Sequence, residues 1–287
     1  MSGTVETAYV DVGGIRTRYL VAGEGPPVVL LHGTSLAIDA RATWYRTIPA
    51  LASRFRVYAP DMPGFGGTDP APHGRHMLRM ERSGFARAFL DSLEIERCGL
   101  VGHSEGGFLG TRIAIEQPDR VLALAIVASG ATSPRLGSTA DDEWQAASAA
   151  VYDVRGGCGS EGDFIRTISA MSVTNPPEYL DLLRENYRKA ISGGQRDRLI
   201  AAASESGYAD YTQLQEEEIF PHLLGFATRV ALIWPADDPT IPVARALGLY
   251  AMLPGADLHI LSRAAHMVMI DRTEAFNATL LQFLAEE

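Results

Sequence analysis

The sequence predicts an α/β fold: a mostly parallel sheet flanked by helices, with a helical cap inserted after the sixth strand. Three observations predict it. Continuous apolar runs such as Val28-Val29-Leu30-Leu31 recur along the chain, as strands buried on both faces require. Segments of helical period stand between them, the alternation of a doubly covered parallel sheet. From Thr132 to Thr228 the alternation stops, and only helical patterns follow one another.

The elements follow in order. Thr7 to Val10 and Ile15 to Val21 flank Gly13-Gly14 and read as a hairpin. A Gly-Pro loop precedes Val28 to Leu31, the first buried strand, which runs into His32-Gly33-Thr34-Ser35. Trp44 to Ser53 has helical spacing. Arg56 to Pro60 is the next strand, followed by the glycine-rich turn Asp61 to Asp69. Met80 to Leu93 is helical, Cys98 to Val101 a strand, and Phe108 to Ile115 a helix stopped by Pro118. Arg120 to Ala128 is the sixth strand. In the insertion, Asp141 to Tyr152, Phe164 to Met171, Glu178 to Ile191 and Gln195 to Ala203 read as helices. Arg229 to Trp234 and Asp257 to Leu261 complete the sheet, and Thr273 to Ala285 closes the chain as an amphipathic helix. The predicted organisation is therefore a core of residues 1–131 and 229–287, with residues 132–228 as cap.

Composition narrows the function. The chain of 287 residues is 46% hydrophobic and 21% charged, an ordinary globular profile. Its net charge of −10 argues against nucleic acid or an anionic membrane surface as partner. Cys98 and Cys158 are the two cysteines. They form no disulfide framework or zinc motif, so a reducing cytoplasm fits. The first residues carry no basic and apolar leader pattern, and no apolar run reaches membrane-spanning length. A cytoplasmic protein with a small-molecule substrate is expected; a homodimer stays open.

The chemistry centres on Gly102-His103-Ser104-Glu105-Gly106-Gly107. This G-x-S-x-G lies between a predicted strand and a predicted helix, the context of a nucleophile elbow. Such a turn needs glycine on both sides of the serine, because strand and helix crowd it. A nucleophilic serine needs a base, and the base an orienting acid. His266 lies in the loop after the last strand. Asp237 and Asp238 follow the strand before it, and the residues alone leave the choice between them open. The order serine, aspartate, histidine is that of elbow-bearing folds. One oxyanion donor would be the backbone N–H of Glu105, at the start of the elbow helix; a second should come from the loop after Leu31. The G-x-G-x-x-G of Gly157 to Gly162 has no strand before it, so it fails as a dinucleotide site. His73 and His76 lack the carboxylate cluster of a metal site. No cofactor and no metal is expected.

Together these features resemble the α/β-hydrolase family over nearly the whole core. The resemblance implies that the second carboxylate of the pair, Asp238, is the acid. It implies that Thr34 supplies the other oxyanion N–H, with Ser35 close behind. It gives His32 and Asp61 structural roles in their turns, and leaves His103 as packing beside the elbow. Within the family the chain looks like the meta-cleavage product hydrolases, which cleave a carbon–carbon bond in ring-fission products of aromatic degradation. Leu30 to Gly33, Ala42 to Leu51, Phe55 to Gly66, Leu258 to Ile260 and Glu274 to Asn277 carry that likeness.

The chain also departs from that branch. His103 and Glu105 stand where asparagine and methionine are frequent, and Met267 where a tryptophan follows the base. The branch binds its dienoate carboxylate with a cap arginine. Aligned on Tyr187, that position falls on Asn186, with Arg184 and Arg188 within a turn of it. Arg184, Asn186, Arg188, Trp144 and Met267 are therefore the candidate substrate-binding residues, and Tyr152, Phe164, Met171 and Tyr179 candidate apolar walls. The resemblance implies a serine hydrolase acting on a carbon–carbon bond. A carboxylesterase or lactonase is the alternative, and a ligand receptor that keeps the three residues a third reading.

Overall fold

The computed structural model describes residues 4–286, apart from 138, 140, 141, 144, 145, 147, 148, 150–152, 154–157, 206 and 207. An eight-stranded sheet forms the centre, in the order β1-β2-β4-β3-β5-β6-β7-β8. Its strands are β1 Glu6–Val12, β2 Ile15–Ala22, β3 Pro27–Leu31, β4 Arg56–Pro60, β5 Cys98–His103, β6 Val121–Val127, β7 Arg229–Pro235 and β8 Asp257–Leu261. β2 pairs antiparallel with β1 and β4, and the strands from β4 through β8 run parallel. All six residues of β5 are buried, which explains why the central strands read as unbroken apolar runs.

Helices cover both faces. α1 Ala40–Trp44, α2 Ile48–Leu51, α3 Arg79–Ser92 and α4 Glu105–Glu116 precede the insertion. α5 Glu161–Ser169, α6 Pro177–Ser192, α7 Gln195–Glu205, α8 Tyr208–Glu218 and α9 Phe220–Leu223 lie between β6 and β7. α10 Val243–Met252, α11 Val268–Asp271 and α12 Thr273–Ala285 complete the core. Two neighbouring residues of β5 show the layering, since successive strand residues face opposite ways. A Cβ on Gly99 would lie 2.9 Å from Leu284 of α12, whereas Leu100 faces Gly110 of α4. The predicted cap over 132–228 is helical at α5 to α9; the expected helix at 141–152 falls largely outside the described residues. Among the described residues no helix is long and apolar enough to cross a membrane.

One local expectation is corrected. The stretch predicted as one helix over Trp44 to Ser53 holds the end of one short helix, α1, and the whole of a second, α2. Asp39 caps the first, its carboxylate accepting from the Ala42 N–H at 2.7 Å. Pro49 sits in the first turn of the second and has no N–H to continue the earlier ladder. Helix α10 is an addition to the predicted elements and carries Gly248 in its interior. Gly248 packs against Pro134, whose Cγ would lie 2.9 Å from an added Cβ.

The strand order reverses between β3 and β5, since β4 lies on the far side of β3. The loops leaving β3 and β5 therefore diverge and open a crevice at the strands' carboxyl ends. Leu31 pairs with Gly102 at that edge, so His32 to Ser35 and Ser104 leave the sheet side by side. The glycines of the elbow are sterically required. A Cβ on Gly106 would stand 2.2 Å from the Leu31 carbonyl oxygen, and one on Gly102 2.2 Å from that of Gly106. Both contacts are with backbone, which has little freedom to yield. Gly106→Ala is expected to destabilise by about 3 kcal/mol or more and to lower Tm by roughly 10 °C, measurable by calorimetry. An unchanged Tm would mean that the elbow is looser than this packing implies.

Candidate active site

Ser104 immediately precedes α4 with φ 54° and ψ −119°, a left-handed backbone that costs on the order of 1–3 kcal/mol in a non-glycine residue. Its N–H donates to the Val127 carbonyl at 2.9 Å, which ties the turn to β6. Of the first N–H groups of a helix, none has a partner inside it; the leading one in α4 belongs to Glu105. Gly33 lies against the serine, since a Cβ there would stand 3.0 Å from Ser104 Cβ. The half-buried Thr34 and Ser35 follow directly.

His32 holds that loop. Its Nε2 accepts from the Met62 N–H at 3.0 Å, so the proton is on Nδ1, which donates to the Gly33 carbonyl at 2.6 Å. Burial pushes its pKa down to about 4 and keeps the ring neutral. From the cap, Gln195 at the start of α7 accepts the Ala37 N–H at 3.1 Å. Asp61 takes no part. It is buried in its own turn, accepting from Ala40 and Gly67 N–H groups and pairing with Arg18 at 2.6 Å. Burial and Asp39 push its carboxyl up to about 7 against the pull of Arg18.

His266 is buried in the loop after β8. Of the two neighbouring aspartates, Asp238 meets it: Nδ1–H donates to Oδ2 at 2.8 Å. Asp237 is exposed. The Asp238 carboxylate is fully enclosed. Its other oxygen accepts from Thr240 N–H and Oγ1, each at 2.8 Å, and from Ile241 N–H at 3.0 Å. This leaves Nε2 of a neutral His266 as the ring's lone-pair nitrogen. His103, expected as packing, does more. Its Nε2–H donates to the His266 carbonyl at 3.0 Å, and the rings lie 4.6 Å apart. Burial holds the His103 pKa well below its ordinary value. The residue before the serine therefore grips the loop that carries the histidine.

The sequence did not point to the surroundings of the Glu105 side chain. Its carboxylate is buried between two arginines one turn apart on α3. Arg79 Nε donates at 2.9 and 3.0 Å, and Arg82 Nη2 at 2.7 Å. Burial raises the Glu105 pKa, but Arg79 and Arg82 outweigh it and pull the group down to about 2. The Arg79–Arg82 spacing of three was the available signal, and it became informative only with Glu105 placed opposite. His76 packs its ring against Phe65 and contacts Arg82; burial and Arg82 lower its pKa to about 4.

The cap candidates divide. Arg184 pairs with Asp181 at 3.0 Å and Arg188 with Glu161 at 2.7 Å, both on the solvent side, where Arg188 is 68% exposed. The expectation that one of them fills the arginine position near Asn186 is corrected: each lies two residues from Asn186, about half a turn round the helix, which carries it to the outer face. Asn186 is buried, and its Nδ2 has no hydrogen-bond partner among the described residues. Met267 is buried, its N–H donating to the Met171 carbonyl at 2.9 Å. Phe164 stacks on Tyr187 and Tyr179 on Tyr45, so both belong to packing within and beneath the cap. Trp144 and Tyr152 lie outside the described residues. Among the described residues no group of three or more His, Cys, Asp or Glu could hold a metal ion.

Comparison with known proteins places the chain in a family. The family model described as "alpha/beta hydrolase fold" matches residues 26–273. The 2-hydroxy-6-oxo-2,4-heptadienoate hydrolase of Pseudomonas putida is 30% identical over 97% of this chain and 96% of its own. A 2-hydroxymuconate semialdehyde hydrolase of a Pseudomonas species is 28% identical over 96% and 93%. Among solved structures, the meta-cleavage product hydrolase of Pseudomonas fluorescens superposes with a TM-score of 0.80 at 25% identity, covering 96% of each chain. The chain resembles the carbon–carbon bond hydrolases within this group, and by its matching model and its full-length relatives it belongs to the α/β-hydrolase fold family.

Proposed function

We propose that the protein is a serine hydrolase with Ser104 as nucleophile, His266 as base and Asp238 as orienting acid. The observation that carries this reading is the enclosed Asp238–His266 hydrogen bond, with His103 tying the histidine loop to the elbow. His266 Nε2 takes the Ser104 hydroxyl proton as Oγ attacks a carbonyl carbon. The N–H groups of Glu105 and Thr34 receive the negative oxygen, an interaction whose loss costs about a hundredfold or more in rate. Nε2 then gives the proton to the leaving group, and the same nitrogen activates the water that frees the acyl-serine. No cofactor enters this sequence.

The substrate we propose is a 2-hydroxy-6-oxo-dienoate, cleaved at a carbon–carbon bond. The support is the Pseudomonas putida relative, named for such an activity and aligned over nearly the full length of both chains. The leaving group is then a carbanion equivalent. The dienol must therefore become its keto form before attack, and His266 is the group placed to carry that proton. One observation favours a second reading, a small ester or lactone. The outward arginines leave neutral Asn186 as the inward polar group of its helical turn.

Parallel assays separate the readings. The dienoate is expected to be consumed with kcat/KM within the ordinary enzyme range of about 10⁴–10⁸ M⁻¹s⁻¹, with p-nitrophenyl esters far slower. Fast ester turnover with an untouched dienoate would replace the first reading by the second. A fluorophosphonate should label the peptide that bears Ser104; a fully active protein that never takes the label would remove the nucleophile.

A further inference from the structure

Asp271, the last residue of α11, lies five residues beyond the histidine and outside the machinery described so far. Its carboxylate accepts four hydrogen bonds among the described residues. Oδ2 receives the Ala265 and Val173 N–H groups, each at 2.9 Å. Oδ1 receives the Thr174 N–H at 2.7 Å and the Thr174 hydroxyl at 2.9 Å. One carboxylate thus joins the residue before His266 to the cap segment between α5 and α6. On the other flank of His266, the Met267 N–H donates to Met171 of that same segment at 2.9 Å.

The main chain around the histidine is therefore held at successive points: at Ala265 by Asp271, at the His266 carbonyl by His103, and at Met267 by the cap. Two of the three holds lead to residues 171–174. An ionised carboxylate suits this task, because it is acceptor-only and its bonds to N–H groups are charge-assisted. The three bonds to Val173 and Thr174 lie in exposed surroundings, with Val173 55% exposed, where such contacts contribute little to folding, while the bond to the buried Ala265 is partly shielded. A base tolerates little displacement, however, and a shift of about 1 Å can cost a hundredfold in rate.

We propose that Asp271 is a positioning residue that straps the cap to the histidine loop, so that the seat of the cap sets where the His266 ring stands. The proposal rests on the reading of His266 as the base. It extends that reading to the cap, which acts as a brace for the base as well as a wall for the substrate.

The test is a cycle of variants on the full chain, read with whichever substrate turns over. Asp271→Asn keeps the shape but offers one acceptor oxygen in place of two. It is expected to lower kcat by roughly 10- to 100-fold, with KM changed less than about threefold and Tm by only a few degrees. In an Asp238→Asn background, where the base is already disabled, the same substitution is expected to cost less than about threefold, because groups acting through one unit are not additive. Thr174→Val removes the hydroxyl bond and keeps the backbone; it is expected to give a smaller loss of the same kind, and it serves if Asp271→Asn does not fold. Unaltered kcat in both Asp271→Asn and Thr174→Val overturns the strap, as does an equal loss in the two backgrounds. Intact kcat in Asp238→Asn alone would instead overturn the base reading, a separately visible failure.

Discussion

Asp238→Asn is expected to lower kcat by about 10⁴-fold with little change in KM or Tm. The argument is one of donors and acceptors. Asp238 stands between two sets of donors: the His266 Nδ1–H on one oxygen, and Thr240 N–H, Thr240 Oγ1 and Ile241 N–H on the other. Asparagine has one carbonyl oxygen and one NH₂, so it satisfies only one side. Two fixed backbone N–H groups hold the oxygen where Oδ1 now lies, and the NH₂ then faces His266. Nδ1 must become the acceptor, the ring proton moves to Nε2, and the nitrogen that should take the Ser104 proton no longer has a lone pair. Nitrogen-15 spectra of the imidazole would show the tautomer directly, and stopped-flow kinetics the loss. Asp237→Asn, at an exposed position, is the control and should stay within about twofold, the scale of an ordinary surface change. A kcat for Asp238→Asn within tenfold of the parent would mean that the acid does not orient the base.

The distance between sequence and structure follows from what each feature depends on. The elbow is readable because its requirement fixes residue type: Gly102 and Gly106 face backbone oxygens at 2.2 Å, and only glycine meets that condition. The buried strands are readable because burial on both faces imposes a composition. The Asp237–Asp238 pair is not readable from the residues, since neighbours in a loop differ only in which way the backbone aims them; the family resemblance pointed to Asp238. Arg184 and Arg188 show the same limit on a helix, where an offset of two residues, about half a turn, decides between the buried face and solvent. Trp44 to Ser53 reads as one helix because its helical spacing runs through the break at Tyr45 to Thr47 between α1 and α2. The strap at Asp271 and the arginine pair around Glu105 join segments far apart in the chain, and no periodicity carries such partnerships.

Glu105→Gln is the substitution expected to cost the most stability, and its cost should depend on pH in a defined direction. Burial alone would raise the Glu105 pKa. Arg79 and Arg82 overturn that and bring it from 4.5 to about 2. A carboxyl depressed in the folded state gives stability that is present above its unfolded pKa and lost as pH falls through the folded one. The window is therefore pH 4.5 down to about 2, and a shift of this size corresponds to about 3 kcal/mol. Glutamine removes that dependence and leaves two buried guanidiniums facing a neutral amide. Breaking a buried pair this way costs about 3–5 kcal/mol, a fall in Tm of roughly 10 °C near neutral pH. Unfolding curves of parent and variant should then converge as the pH drops toward 2, because the parent loses what the variant already lacks. Curves that run parallel through this window would show that the arginines do not stabilise the ionised carboxylate. Exchanging Arg79, Arg82 and Glu105 together for apolar residues of similar volume should recover much of the stability, since a well-packed apolar cluster can equal a buried ionic one. Activity should not return with it. Glu105 lends its backbone N–H to the proposed oxyanion site, and the trio leaves one net positive charge buried beside that site; an apolar replacement restores the packing but not the field.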